Sequence, residues 1–251
     1  MGKKILILFS LWTISTFGQD KSADSITTRV TDRNIKFKYE ALIIPTTLIA
    51  YGVIGLESHT LKDINSDTKD EINEHIDNKF TIDDFSQYST FLSVYALNAA
   101  GIKGKNNFKD RTIILGTAYL IMGTTVNIIK HTSNEMRPDG TSNNSFPSGH
   151  TATAFMGAEF LYQEYKDVSV WYGVAGYVVA AGTGFFRMYN DRHWFSDVAA
   201  GAGIGILSTK IAYWVHPLIK KTIFKKKENL NGVIMPIYNG KQYGLGMSMS
   251  F

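Results

Sequence analysis

Apolar residues gather into six segments along this chain, at 41–56, 88–102, 111–129, 150–163, 168–186 and 197–215, with short polar stretches between them. None alternates with a period of two, and each is long enough for several helical turns, so all six are predicted as α-helices. They are rich in Ala, Gly, Ser and Thr, small residues that let helix backbones approach closely. The expected fold class is all-α, a bundle of about six core helices spanning 41–220. The acidic stretch 57–87 places Ile72, Ile76 and Phe80 four residues apart, which predicts an amphipathic helix with its charges outward. The pattern changes after a basic linker that begins at 221 and includes Lys225, Lys226 and Lys227. Val233–Tyr238, the pair Asn239-Gly240 and Tyr243–Phe251 predict a short C-terminal β-hairpin, since Asn-Gly strongly favours a tight turn between strands.

The amino terminus sets Lys3 and Lys4 before an apolar run from Ile5 to Phe17, followed by Gly18. This pattern predicts a signal peptide over 1–18, because the run falls short of the roughly 20 apolar residues of a membrane span. Residues 19–40 are polar, mixed in charge and expected to be a linker. If all six segments crossed a membrane, Lys103, Lys105, Lys109 and Arg111 would lie on the cytoplasmic side with the final lysine run. A cleaved signal peptide inverts that arrangement, so cleavage, six spans and an outward-facing site are mutually exclusive. The mean hydropathy of −0.07 argues that some of the helices do not cross. Asn98, Asn127, Glu159 and Lys210 within the segments argue the same, since polar groups are costly in lipid. The expectation is a membrane-associated cell-envelope protein with its site on the periplasmic side.

Composition narrows the chemistry further. The chain has no cysteine, which excludes disulfides and thiolate sites, and its formal net charge is +4. Basic residues do not interleave with aromatics, so no nucleic-acid partner is expected. His59, His75 and His216 have no spaced partners, and neither a metal nor another cofactor is expected. His131 follows Lys130 directly and is a candidate for the pocket rim. The candidate chemistry lies in three clusters: Lys130 with Arg137-Pro138, Pro147-Ser148-Gly149-His150, and Arg187 with His193 and Asp197. Each cluster falls where an apolar segment starts or ends, so one end of a bundle brings all three together. The polar loop 131–147 is the expected lid or substrate-access loop.

Lys130, Arg137 and Arg187 are fixed cations, and the arginine forks match the oxygens of a phosphate. Ser148 and Gly149 open a helix, whose amino end carries free N–H groups and a partial positive charge suited to an anion. Gly149 has no Cβ to hinder that approach. His193 and Asp197 are four apart, and on a helix they would share a face. A carboxylate on one ring nitrogen leaves the other free to attack phosphorus. His150, on the opposite side of the pocket, is then placed to protonate the leaving group.

The pattern K-x6-RP, PSGH, R-x5-H-x3-D resembles the type 2 phosphatidic acid phosphatase (PAP2) superfamily, which includes class A acid phosphatases and vanadium haloperoxidases. The resemblance implies a phosphohistidine on His193 with Asp197 as its partner, His150 as the acid, and phosphate binding by Lys130, Arg137, Ser148, Gly149 and Arg187. It also implies hydrolysis of a phosphomonoester or pyrophosphate, here expected to be lipid-linked. One position departs from the family pattern: Phe186 stands where a serine usually precedes the arginine, so a hydroxyl is missing there. The alternatives are a vanadium-dependent haloperoxidase, with vanadate in the same pocket, and a non-catalytic envelope scaffold. An intact set of eight site residues argues against the scaffold.

Overall fold

The computed structural model describes residues 39–74, 79–223, 231–238 and 243–250. Among these the chain forms seven α-helices: α1 Glu40–Gly55, α2 His59–Asn73, α3 Ile82–Ala99, α4 Phe108–Ser133, α5 Gly149–Tyr165, α6 Val170–Tyr189 and α7 Phe195–Ile223. Side-chain caps set several of the starts. Asn107 accepts the Asp110 N–H at 2.9 Å, while Ser58 and Ser169 cap α2 and α6. Asn134 ends α4 in the left-handed conformation at φ 49°, which turns the chain out of the helix and into the loop before α5.

The helix α5 lies at the centre and packs on α3, α4, α6 and α7. Its Met156 and Phe160 join Val94, Ile114, Met122, Val126, Ile204 and Tyr213 in one buried core. Small residues hold α7 against α5. A Cβ at Gly201 or Gly205 would overlap the carbonyl oxygen of Ser148 or Ala152, so only glycine permits this approach. The contact brings the first turn of α7 beside the start of α5, and the Ser148 N–H donates to the Asp197 carbonyl at 3.0 Å.

The six apolar segments correspond to α1 and α3–α7. The acidic stretch behaves differently from its expectation as one amphipathic helix. Its helix α2 stops at Asn73 and α3 begins at Ile82, so Phe80 lies outside both and is exposed. Ile76 lies outside the described residues. The spacing of four continued across the acidic stretch, whereas α3 starts afresh with its own acidic first turn of Asp83 and Asp84. At the other end, α7 runs on through Ile223, past the expected boundary at 220.

Glu159 and Lys210, read from the sequence as a cost in lipid, face each other inside the bundle. Lys210 Nζ lies 2.7 Å from Glu159 Oε1, and the Tyr177 hydroxyl donates to the same carboxylate. Their pairing removes that part of the argument against membrane crossing. By length and composition, α4 and α7 can each cross a membrane, and α1 with α2 would make a third, broken span bent by 96°. Tyr119, Leu120 and Ile128 on α4 and Trp171, Val174 and Val178 on α6 form an exposed apolar exterior.

The expected signal peptide and nearly all of the linker over 19–40 lie outside the described residues. Toward the carboxyl terminus, strands β1 Asn231–Tyr238 and β2 Tyr243–Ser250 pair antiparallel, with Asn231 opposite Ser250 and Tyr238 opposite Tyr243. The Asn239-Gly240 turn expected between them is outside the described residues.

Candidate active site

Each cluster sits where a helix starts or stops. Lys130 is in the last turn of α4, Ser148 caps α5, Arg187 is in the last turn of α6, and Asp197 is in the first turn of α7. Ser148 is fully buried; its Oγ accepts the Thr151 N–H and lies 2.8 Å from the Thr151 hydroxyl. A Cβ on Gly149 would make only ordinary contact with Val126, at 3.7 Å, so the protein's own packing does not demand glycine there.

His193 and Asp197 do meet, but by a different route from a shared helix face. His193 precedes α7, which begins at Phe195. Asp197 Oδ2 reaches back to accept the Trp194 N–H at 2.9 Å, an arrangement that caps the amino end of α7. The same oxygen lies 3.4 Å from His193 Nδ1 and accepts the Ser145 hydroxyl. Ser145 Oγ is also 3.4 Å from Nδ1. The capping carboxylate, the serine and the imidazole thus form one buried cluster, with His193 and Asp197 only 3% and 0% exposed.

Burial pushes His193 down to about 4, opposed by Asp197 and assisted by the cations Arg187 and Lys130. The imidazole is therefore neutral through the mildly acidic and neutral range. Burial also lowers Arg137, and repulsion by Arg187 and Arg192 adds to that effect. These mutual influences connect cations from α4, α6 and the intervening loop around a single histidine.

Loop 134–147 spans the space between them. Lys130 Nζ donates to the carbonyls of Asn144 and Ser145 at 2.6 and 3.3 Å, and Arg137 Nε donates to Asn144 Oδ1 at 3.0 Å. The Trp194 indole N–H fastens the loop through the Met136 carbonyl at 2.8 Å. The helix α2 covers the nearby surface. Asn65 exchanges hydrogen bonds with Ser196, and Lys69 donates to the Pro138 carbonyl. The space left beside His193, between Asn65, Lys69, Pro138 and Trp194, is about 10 Å³, close to the least that holds a water.

On the far side, Arg187 Nη1 pairs with Asp83 Oδ2 at 2.5 Å, while Asn190 Nδ2 donates to Asp83 Oδ1 at 3.0 Å. Arg187 Nε and Asp197 Oδ1 are buried without a hydrogen-bond partner. His150 Nε2 lies 2.9 Å from Asp84 Oδ1. Burial and Arg187 lower His150 below its usual 6.5, and the Asp84 carboxylate opposes them.

The structure therefore gathers every residue singled out from the three motifs. It leaves His131 exposed on the outer face of α4 with Tyr119, Leu120 and Ile128. Phe186 stacks against Phe185 and Tyr189, and hydroxyls reach the site from Ser145 and Ser148 instead. Sequence reading missed Ser145, Asp83, Asp84 and Asn190. Ser145 is close in sequence to Ser148, but nothing in the pattern singles it out. The acidic pair was read as part of a solvated helix face.

Residues 111–221 match the family model described as the PAP2 superfamily, a stretch that contains all eight candidate residues. The chain is 39% identical over 173 residues to the lipid A 1-phosphatase of Porphyromonas gingivalis, a match covering 64% of this chain and 38% of that protein. It is 35% identical over 74 residues to the bacitracin transport permease protein BcrC of Bacillus licheniformis, covering 30% of this chain and 34% of that one. The chain thus spans well under half the length of these curated relatives. The crystal structure of Aquifex aeolicus LpxE aligns with a TM-score of 0.46 and 24% identity, over 60% of this chain and 94% of that one.

Proposed function

From the match of residues 111–221 to the PAP2 superfamily model, we propose that this protein is a membrane-associated phosphatase that hydrolyses a lipid-linked phosphate. The observation that carries the reading is the convergence of Lys130, Arg137 and Arg187 on the buried His193–Asp197 pair. Arg187 Nε adds to it as a buried donor with no partner, suited to a phosphate oxygen.

In the reaction we infer, Asp197 holds the Nδ1 side of His193, and the Nε2 lone pair attacks phosphorus. The P–N bond forms as the P–O bond to the lipid breaks, and His150 donates a proton to the departing oxygen. Water then attacks phosphorus, His150 takes up its proton, and phosphate leaves with His193 restored. The three cations and the amino end of α5 stabilise charge on the equatorial oxygens throughout. Burial of His193 supports the first step, because it keeps the attacking lone pair unprotonated down to about pH 4.

The 39% identity to a lipid A 1-phosphatase makes the sugar-linked phosphate of lipid A the first substrate to test. Purified protein would be offered lipid A, phosphatidate, phosphatidylglycerol phosphate, undecaprenyl pyrophosphate and a soluble aryl phosphate. Phosphate release from at least one lipid, faster than from the soluble ester, is the expected result. No release from any of them, or vanadate-dependent halide oxidation instead, would sink the proposal.

The outward placement of the site follows from the signal-like amino terminus and the basic residues at 103–111, and it is tested separately. A Ser142→Cys variant of this cysteine-free chain places one thiol in the loop at the site. It is expected to react with a membrane-impermeant reagent once the outer membrane is permeabilised. Labelling only after the inner membrane is breached would refute a periplasmic site.

A further inference from the structure

We propose that Asp84, in the first turn of α3, is a positioning residue for His150. It accepts the imidazole Nε2–H and leaves Nδ1 as the nitrogen that exchanges a proton with the leaving group. The inference rests on the phosphatase reading above and concerns a residue outside the stretch matched by the family model.

The geometry has two parts. The Asp84 Oδ1 to His150 Nε2 distance is 2.9 Å, and a nitrogen bonded to a carboxylate carries the hydrogen. Asp84 is also held on a fixed mount. Its neighbour Asp83 is buried against Arg187 at 2.5 Å and against Asn190 at 3.0 Å. The backbone of Phe80 exchanges two further hydrogen bonds with the Asn190 side chain, at 2.7 and 3.1 Å. These contacts pin the amino end of α3 to the carboxyl end of α6, so the Asp84 carboxylate meets His150 from a constrained direction.

Electrostatics gives the contact a purpose. The charged groups that act on His150 are Asp83 and Asp84 from α3 and Arg187 from α6. Asp83 is already committed to Arg187, whose guanidinium disfavours a second cation beside it. Asp84, half exposed, is the carboxylate in direct contact with the imidazole; the same Oδ1 lies farther from Arg187 Nη1, at 3.9 Å, than from His150 Nε2, at 2.9 Å. The proton passes from Nδ1 to the leaving oxygen and returns from water, while the Nε2–H stays on the ring and remains donated to Asp84.

The test compares the wild type with Asp84→Asn, Asp84→Ser and Asp84→Glu. In the wild type, kcat/KM should fall on the acid side near pH 4, where His193 takes a proton, and on the alkaline side below 6.5, where His150 loses one. Removing the carboxylate makes protonated His150 less favourable, so the alkaline limb should move to lower pH by about one unit. The turnover rate should fall about tenfold or more with KM little changed, and Glu should restore both. Titration of the substrate is common to all the enzymes and cancels in the comparison. Asp84→Ser keeps a helix-starting side chain without the charge, which guards against a variant that fails to fold.

A second readout needs no turnover. The imidazole resonance of His150, assigned by its loss in His150→Gln, should titrate at lower pH in Asp84→Asn than in the wild type. An unmoved resonance would overturn the inference even if the enzyme is active. Inactivity of the wild type on every substrate would instead fail the phosphatase reading and leave the titration to decide the role of Asp84. Activity that is abolished by a chelator, restored by a divalent cation and lost in Asp84→Asn would also overturn it, in favour of a cation held by Asp83, Asp84 and His150, whose ligand-type atoms lie within 4.8 Å of one another.

Discussion

His193→Ala is expected to reduce phosphate release by roughly four orders of magnitude or more while the protein still folds. If His193 bonds to phosphorus, every later step depends on it, and nothing nearby replaces the lone pair. The fold should survive because Asp197 keeps the Trp194 N–H and the Ser145 hydroxyl as partners after the ring is gone. Asp197→Asn should fall between the wild type and that variant. An amide oxygen can still cap α7, but the imidazole loses the charge that orients it, and a loss of about 10³–10⁴ is expected. Rapid quench into alkaline denaturant, which preserves a P–N bond, with labelled substrate and peptide mapping checks both. A phosphoryl group trapped on any residue other than His193 would reject the assignment, as would full activity in either variant.

The second large effect is on stability, far from the chemistry. Glu164→Ala is expected to destabilise the protein by about 3–5 kcal/mol, the usual result of leaving a buried charge without its partner. Glu164 is fully buried against Arg111, at 3.3 Å, and both side chains are essentially inaccessible. The same carboxylate accepts the Asn106 backbone N–H at 3.0 Å, the Asn106 amide at 2.6 Å and the Tyr213 hydroxyl at 2.6 Å. Alanine orphans all four donors at once, and they belong to α4, α7 and the loop before α4. Thermal unfolding in detergent should show a midpoint lower by roughly 10 °C. Specific activity of the remaining folded protein should be unchanged, because about 22 Å of α5 separates Glu164 from its amino end. A midpoint within a degree or two of the wild type would mean that this cluster does not hold the helices together.

The sequence by itself determined the helical segments and the three motifs that the bundle brings together. Apolar runs of helical length, rich in small residues, have few ways to bury their surface other than against one another, so α1 and α3–α7 were legible, although α3 starts six residues earlier and α7 ends eight residues later than its apolar run. The three motifs were legible because they combine cations, histidines and a carboxylate at spacings that resemble a known family, and because helix ends are where a bundle brings distant positions together. The details of contact were decided by tertiary structure. The His193–Asp197 pair depends on how the chain enters α7, which a spacing of four does not reveal. The meaning of Glu159 and Lys210 reversed once they faced each other, since a charge is costly only where no partner is near. Asp83 and Asp84 look in sequence like any acidic helix start. Only the crossing of α3 over the end of α6 sets them against Arg187 and His150, because an interaction across 66 or 104 residues leaves no local pattern to read.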